Sequence, residues 1–276
     1  LILALQNWHK IVALFTEIII SMPEGPSIVI LKEKVTSFKE KNIVTASGSS
    51  NINFDKLAGE KIIDFKSWGK HLLICFKGYF IRIHLLMFGT YLINNRKVVP
   101  PKLSLRFSDG ELNFYTCHVL LIEKEAAKMY NWETDIMSDN WSAVRAQEAI
   151  SSSQKEKICD VLLDQEKFSG VGNIIKNEAL FRAAIHPEST AGFIPTEKIK
   201  ELVNEVRQYS LDFYKWKKIN QLSRYWFVYH QKTCPRCQLP INSKKTGKGK
   251  RLSYYCNNCQ VVYENKKNLY EKNSIV

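Results

Sequence analysis

The apolar start of the chain lacks a run of about 18 uninterrupted apolar residues, the length a membrane span needs. Leu1 to Ser21 (LILALQNWHKIVALFTEIIIS) is broken near its middle by Gln6, Asn7, His9 and Lys10. The segment also lacks a basic leading region and a small-residue cleavage pattern, so a secretory signal peptide is not expected. Position 1 is not Met. Residues 1–21 are therefore expected to be a non-native extension, with the true start at Met22; a genuine apolar anchor is the alternative. Lys10 and Glu17 cancel, so the charge balance does not depend on this segment.

A disulfide framework is missing too. Seven cysteines is an odd number, which argues against a stapled secreted domain. Cys75, Cys117 and Cys159 stand in apolar or mixed contexts and read as reduced and buried. Acidic residues are in short supply: 27 Asp and Glu face 40 Lys and Arg, for a net charge of +13 and a pI near 9.3. Such a surplus points to a polyanionic partner, nucleic acid first and an anionic membrane second.

What is present fits a chain of about two domains. Its 276 residues are 45% apolar, enough for a real core. Met22-Pro23-Glu24-Gly25-Pro26-Ser27 looks like the start of a protein. Removal of Met22 would leave Pro23 with a free secondary amine beside a carboxylate. An α-amino group titrates near about 7.7–8.0, so at neutral pH part of it is uncharged and can attack an electrophilic carbon. With an aldehyde carbon a secondary amine forms an iminium of fixed positive charge. The other reading is a Pro-Gly-Pro turn ahead of a helix over Ser27–Val35, for which Pro26 near the first helical position suits.

Short strand-like runs follow: Lys61–Trp68, Leu72–Phe76, Tyr79–His84, Tyr91–Ile93, Leu103–Phe107, Glu111–Tyr115 and Val119–Ile122, with a hairpin signal at Ser108-Asp109-Gly110. They predict a β-sandwich or flattened barrel. Lys70, after Gly69 at a strand edge, reads alone as a solvated turn residue. Leu86-Met87-Phe88 in a loop reads as core or, if exposed, as a wedge for a base stack. From about Trp141 helices are predicted, over Ser142–Ile150, Lys155–Leu163 and Thr196–Lys217. Gly170-Val171-Gly172-Asn173 opens a further helix, where backbone N–H groups could bind a phosphate or simply form a helix connection. Cys234-Pro-Arg-Cys237 and Cys256-Asn-Asn-Cys259 have the spacing of a closed four-thiolate Zn²⁺ site, structural because no position is left for water. Between them Lys244, Lys245, Lys248, Lys250 and Arg251 form a basic, flexible hairpin tip suited to phosphates.

In this order, the Met-Pro-Glu-Gly-Pro start, Gly69-Lys70, Gly-Val-Gly-Asn173 and the terminal cysteine ribbon resemble the formamidopyrimidine-DNA glycosylase and endonuclease VIII family over about Met22 to Val262. The resemblance implies an α+β multidomain fold: a β-sandwich with flanking helices (22–140), a helix–two-turn–helix domain (141–227), a zinc finger (228–262) and a tail (263–276). It implies double-stranded DNA with oxidised bases or abasic sites as the partner, bound in the cleft between domains by a monomer with no membrane role. A bacterial, cytoplasmic and nucleoid-associated setting is expected. Pro23 would be the Schiff-base nucleophile, Glu24 the proton donor, and Lys70 and Arg251 further catalytic residues at the lesion phosphates. Asn173 would bind phosphate. Met87, with Leu86 and Phe88, would fill the void left by a flipped base. One structural Zn²⁺ is the only cofactor implied. Ser27 stands where members often carry Glu. Glu166 stands where formamidopyrimidine-type members carry Lys, a change that leans toward the endonuclease VIII branch. A non-catalytic DNA-binding protein with Pro23 blocked, and a zinc-ribbon adaptor, are the alternatives.

Overall fold

The computed structural model describes residues 23–265. The expected extension 1–21, and the tail beyond residue 265, lie outside the described residues. The chain divides into two compact units, one ending at Tyr130 and the other beginning at Asn131.

The first unit opens with helix α1 (Gly25–Val35). Eight strands follow: β1 (Thr45–Ser47), β2 (Asp64–Trp68), β3 (His71–Cys75), β4 (Phe80–His84), β5 (Thr90–Ile93), β6 (Leu103–Phe107), β7 (Gly110–Tyr115) and β8 (His118–Ile122). They form two antiparallel four-stranded sheets, ordered β1-β6-β7-β5 and β2-β3-β4-β8. Core-facing side chains of the two sheets meet in one apolar cluster, which makes this a sandwich. In β4, Ile81 and Ile83 enter the core while Arg82 and His84 lie on the opposite face, half-buried. Leu105, Leu112 and Phe114 of one sheet join Leu72, Ile74 and Val119 of the other in one apolar cluster, and α1 adds Ile28, Leu31 and Val35. The predicted hairpin is a two-residue loop, Ser108-Asp109, closing the Phe107–Gly110 pair. A short helix α2 (Ala126–Met129) ends the unit.

The second unit holds helices α3 (Ala143–Ser152), α4 (Ile158–Leu163), α5 (Asn173–Arg182) and α6 (Thr196–Lys218), then a hairpin of β9 (Asn242–Thr246) and β10 (Arg251–Tyr255). The expected cysteine finger falls in this same unit. Residues 131–140, expected with the sandwich, pack here as well. The reason is local pairing: Ile136 N–H donates to Ser169 O and Ser169 N–H to Thr134 O, while Arg207 reaches Ile136 O. Helix α4 is shorter than predicted, because Lys157 is extended and bridged to Thr190. Every residue from Asn173 to Phe181 is buried, including the polar Asn173, Lys176, Asn177 and Glu178. Buried polar groups require internal partners, and those partners build the candidate site.

Candidate active site and nucleic-acid interface

Pro23 is half-buried and directly precedes α1. Glu24 is the residue before the first helical turn, extended at φ −115 and ψ 172, and only 1% exposed. Its carbonyl accepts Ser27 N–H at 2.8 Å, so the helix start fixes the backbone next to Pro23. Pro26, within the first helical positions, has no N–H to leave unsatisfied there.

Lys70 is half-buried in the turn between β2 and β3, where Gly69 takes a positive φ of 51. Beside it, His71, His84 and His118 form one register row across β3, β4 and β8. Burial first, then the positive charge of Arg82 and Lys70 together with the neighbouring histidines, drives His71 down to about 3. His84 is lowered by burial, then by Lys70 and Arg82. Both rings are therefore neutral at physiological pH, in a positive field that suits an anion. Spacing alone did not single out this row, because its members meet only through strand pairing.

Leu86, Met87 and Phe88 are 49%, 46% and 59% exposed. They protrude from a tight turn in which Gly89 N–H donates to Leu85 O at 2.7 Å. Leu86 carries a positive φ of 55, and a Cβ at position 89 would lie 2.0 Å from Leu85 O. The turn thus presents three apolar side chains to solvent rather than to the core.

In the second unit, Gly170 (φ 97) and the extended Gly172 lead into α5. Asn173 is brought against the strand that carries Arg251: its Nδ2 donates to Leu252 O at 2.9 Å. Asn173 is 8% exposed, so it is a largely buried amide rather than an open surface group. Arg251 is exposed at the start of β10. The hairpin tip, expected to be flexible, is instead pinned by Asp160 of α4, whose carboxylate accepts N–H groups from Lys248 and Gly249. Asp160 lies 88 residues before Lys248 in sequence, and no local pattern signals the pairing. Glu166, on the surface, uses its N–H to bond Asp164 Oδ1.

The four C-terminal cysteines converge. Sγ of Cys234, Cys237, Cys256 and Cys259 all lie within 4.8 Å of one another, with 3.8 Å between Cys234 and Cys259 and 3.4 Å between Cys237 and Cys256. Tetrahedral Zn–S bonds of about 2.3 Å would separate sulfurs by about 3.8 Å, so the donor set fits a zinc ion. The Leu239 N–H pulls the Cys237 thiol down to about 7, toward the thiolate. Burial and the other three thiols push Cys259 up to about 12, a repulsion a central cation would remove.

Family models match both units: the formamidopyrimidine-DNA glycosylase N-terminal domain over residues 22–117, and the formamidopyrimidine-DNA glycosylase H2TH domain over residues 135–210. Endonuclease 8-like 3 of Xenopus laevis is 32% identical over 232 residues, 79% of this chain and 38% of the relative. Endonuclease 8-like 2 of Mus musculus is 36% identical over 163 residues, 58% of this chain and 48% of the relative. The chain thus spans less than half the length of these curated relatives. They come from vertebrates, which leaves the expected bacterial, nucleoid-associated setting without support. Among the described residues no helix is long and apolar enough to cross a membrane. In fold, the chain is similar to a viral DNA glycosylase (TM-score 0.74, 24% identity, 86% of this chain and 100% of that one). It is also similar to the Lactococcus lactis formamidopyrimidine-DNA glycosylase bound to DNA containing an abasic site (TM-score 0.76, 21% identity, 86% and 99%). With its sandwich and its helical unit matched by models of one family, the chain belongs to the formamidopyrimidine-DNA glycosylase and endonuclease VIII family.

Proposed function

We propose that this protein is a base-excision DNA glycosylase and abasic-site lyase that acts through Pro23. The observation that carries the reading is Pro23 beside the buried Glu24 at the start of α1. Once free, the Pro23 nitrogen donates its lone pair to C1′ of the damaged nucleotide. The glycosidic bond breaks, and the base leaves with a proton for which Glu24 is the nearest candidate in sequence. A proton delivered by Glu24 to O4′ lets the C1′–O4′ bond break, which opens the sugar ring to an iminium at C1′ and acidifies the C2′–H. Loss of that proton expels the 3′ phosphate, and a second elimination expels the 5′ phosphate. Both strand-cleaving steps are eliminations, so water does not attack phosphorus and Mg²⁺ is not required.

Lys70, Asn173 and Arg251 bind the lesion phosphates in this reading. Lys70 and Arg251 also support the chemistry, and Met87, flanked by Leu86 and Phe88, fills the gap left by the flipped base. Cys234, Cys237, Cys256 and Cys259 hold one structural Zn²⁺. The setting is DNA repair on double-stranded DNA, by a monomer.

In the full chain Met22 precedes Pro23, which makes the Pro23 nitrogen an amide without nucleophilicity. Borohydride trapping on duplex DNA with one abasic site tests the reading. Protein beginning at Pro23 should give a covalent adduct, lost in Pro23→Gly, while protein that retains residues 1–22 should give none. No adduct from either form, with DNA binding intact, would make the protein a lesion binder rather than an enzyme.

A further inference from the structure

We propose that Lys176, buried in the middle of α5, is a positioning residue that locks Asn173 and the strand carrying Arg251 into one phosphate grip; this rests on the nucleic-acid reading above. Lys176 is 0% exposed. Its Nζ donates to Asn173 Oδ1 at 2.8 Å, to Ser253 Oγ at 2.8 Å and to Leu252 O at 3.4 Å.

The first consequence concerns the Asn173 amide. An ammonium donates only, so it must face Oδ1 and not Nδ2. That choice turns Nδ2 toward Leu252 O, where it donates at 2.9 Å. The ammonium and the Leu252 carbonyl together give the amide one orientation.

The second consequence concerns Arg251. Ser253 Oγ lies 2.6 Å from Thr246 Oγ1, and Thr246 is the register partner of Arg251. Leu252, the next residue, accepts from both Lys176 and Asn173. Asn177 completes the contact: its Oδ1 accepts Tyr254 N–H at 3.1 Å, and its Nδ2 donates to Asn173 O at 2.8 Å. Backbone groups two residues apart leave a strand on the same side. Side chains of α5 therefore occupy the β10 edge where a third strand would pair. The backbone around Arg251 is held while its guanidinium stays exposed. Burying an ammonium is costly, and here three oxygen acceptors surround Nζ and tie the helix to the strand.

The test uses the full chain as wild type, Lys176→Met and Ser253→Ala, each also combined with Arg251→Ala. Amide hydrogen exchange of residues 252–255 reads the clamp. Affinity for a duplex bearing one tetrahydrofuran abasic analogue reads the grip, and neither readout needs a free Pro23. Lys176→Met should speed Tyr254 exchange and weaken binding by about tenfold, as expected for loss of a hydrogen bond to a charged group. The binding loss should largely vanish in the Arg251→Ala background, where the grip is already gone. Ser253→Ala, a small change that leaves the helix intact, should move both readouts the same way by less. Unchanged exchange in both variants would overturn the clamp. An equal binding loss with and without Arg251 would overturn the positioning role and leave Lys176 a packing residue. If Arg251→Ala alone binds like wild type, the nucleic-acid reading fails, and with it the grip, while the exchange result still decides whether the clamp exists.

Discussion

The carboxylate of Asp160 on α4 accepts the backbone N–H of Lys248 at 2.8 Å, and its second oxygen accepts Gly249 N–H at 3.1 Å. A basic hairpin tip is thereby fixed to the helical scaffold by an acid, and two N–H groups that would face solvent are satisfied. Gly247 makes the approach possible. Its φ is +65, and a Cβ there would sit 2.4 Å from both carboxylate oxygens. Like-charged lysines crowded at the tip gain a fixed counter-charge beneath them.

Removing that anchor should loosen the tip without unfolding the unit. Asp160→Ala is expected to cost about 1 kcal/mol, since the bonds are solvent-exposed. Trypsin should cut faster after Lys248 and Lys250, and affinity for abasic-site DNA should fall severalfold. Gly247→Val should do the same through the steric route, by displacing the carboxylate. A wild-type cleavage rate in both variants would mean that the tip is held by something other than Asp160.

Glu178 presents a harder constraint. Its carboxylate is 0% exposed and accepts three backbone N–H groups, from Phe227 at 3.0 Å, Val228 at 3.1 Å and Tyr229 at 2.8 Å. This fixes the segment that leads from α6 to the cysteine finger. Glu178→Gln keeps the shape but sets an NH₂ against a peptide N–H, so one donor loses its acceptor. The expected loss is about 2–3 kcal/mol of unfolding free energy. Urea denaturation of the second unit measures it, and a change below about 0.5 kcal/mol would rule out the three-donor arrangement as a source of stability.

Much of this was legible from residue order. The strand-like run Tyr79–His84 and the Ser108-Asp109-Gly110 turn marked β4 and the β6–β7 hairpin, because strand composition and turn chemistry are local properties. The two C-x₂-C pairs marked their own convergence. Asp160, Lys176 and Glu178 were not legible as functional groups. Apart from Asn173, three residues before Lys176, their partners lie 49 to 89 residues away and are mostly backbone atoms, which carry no residue-type signal. A trace existed in Lys176-Asn177-Glu178, three polar residues in a row in a helix otherwise rich in apolar residues. Read as an exposed face, such a run is unremarkable; read as buried, it demands partners. The tip of the hairpin was misjudged for the same reason, since flexibility was inferred from composition and the pinning acid comes from another element.

The neutral histidines make the sandwich sensitive to acid. His71 titrates at about 3 in the folded protein against about 6.5 unfolded, because burial, Arg82 and the neighbouring cations oppose its charge. The unfolded chain therefore binds the proton more readily below pH 6.5, and folding stability falls as pH drops through that range. The slope is at most about 1.4 kcal/mol per pH unit for this group, with His84 adding in the same direction. Thermal melts between pH 7.5 and 5 should show a steeper decline for wild type than for His71→Phe, which keeps the ring against Trp68 but cannot charge. Parallel curves would mean that His71 does not carry the acid sensitivity.

Metal removal should separate two parts of the finger. The knuckles depend on the thiolates and are seated on the end of α5. There Arg236 donates to Phe181 O at 2.9 Å and Arg182 O at 3.0 Å, and Gln260 reaches Ile185 O at 2.8 Å. Taking a Zn²⁺ from the four sulfurs would restore their mutual repulsion and release Arg236 from those carbonyls. The β9–β10 hairpin has a second support that owes nothing to sulfur, the bonds from Asn173 and Asn177 to Leu252 and Tyr254. A strong chelator, or Cys256→Ser, should therefore raise hydrogen exchange over 234–239 and 256–260 far more than over 252–254, and weaken DNA binding. If hairpin and knuckles lose protection together, the metal organises the whole finger, and the side-chain contacts from α5 are too weak to hold Arg251 in place without it.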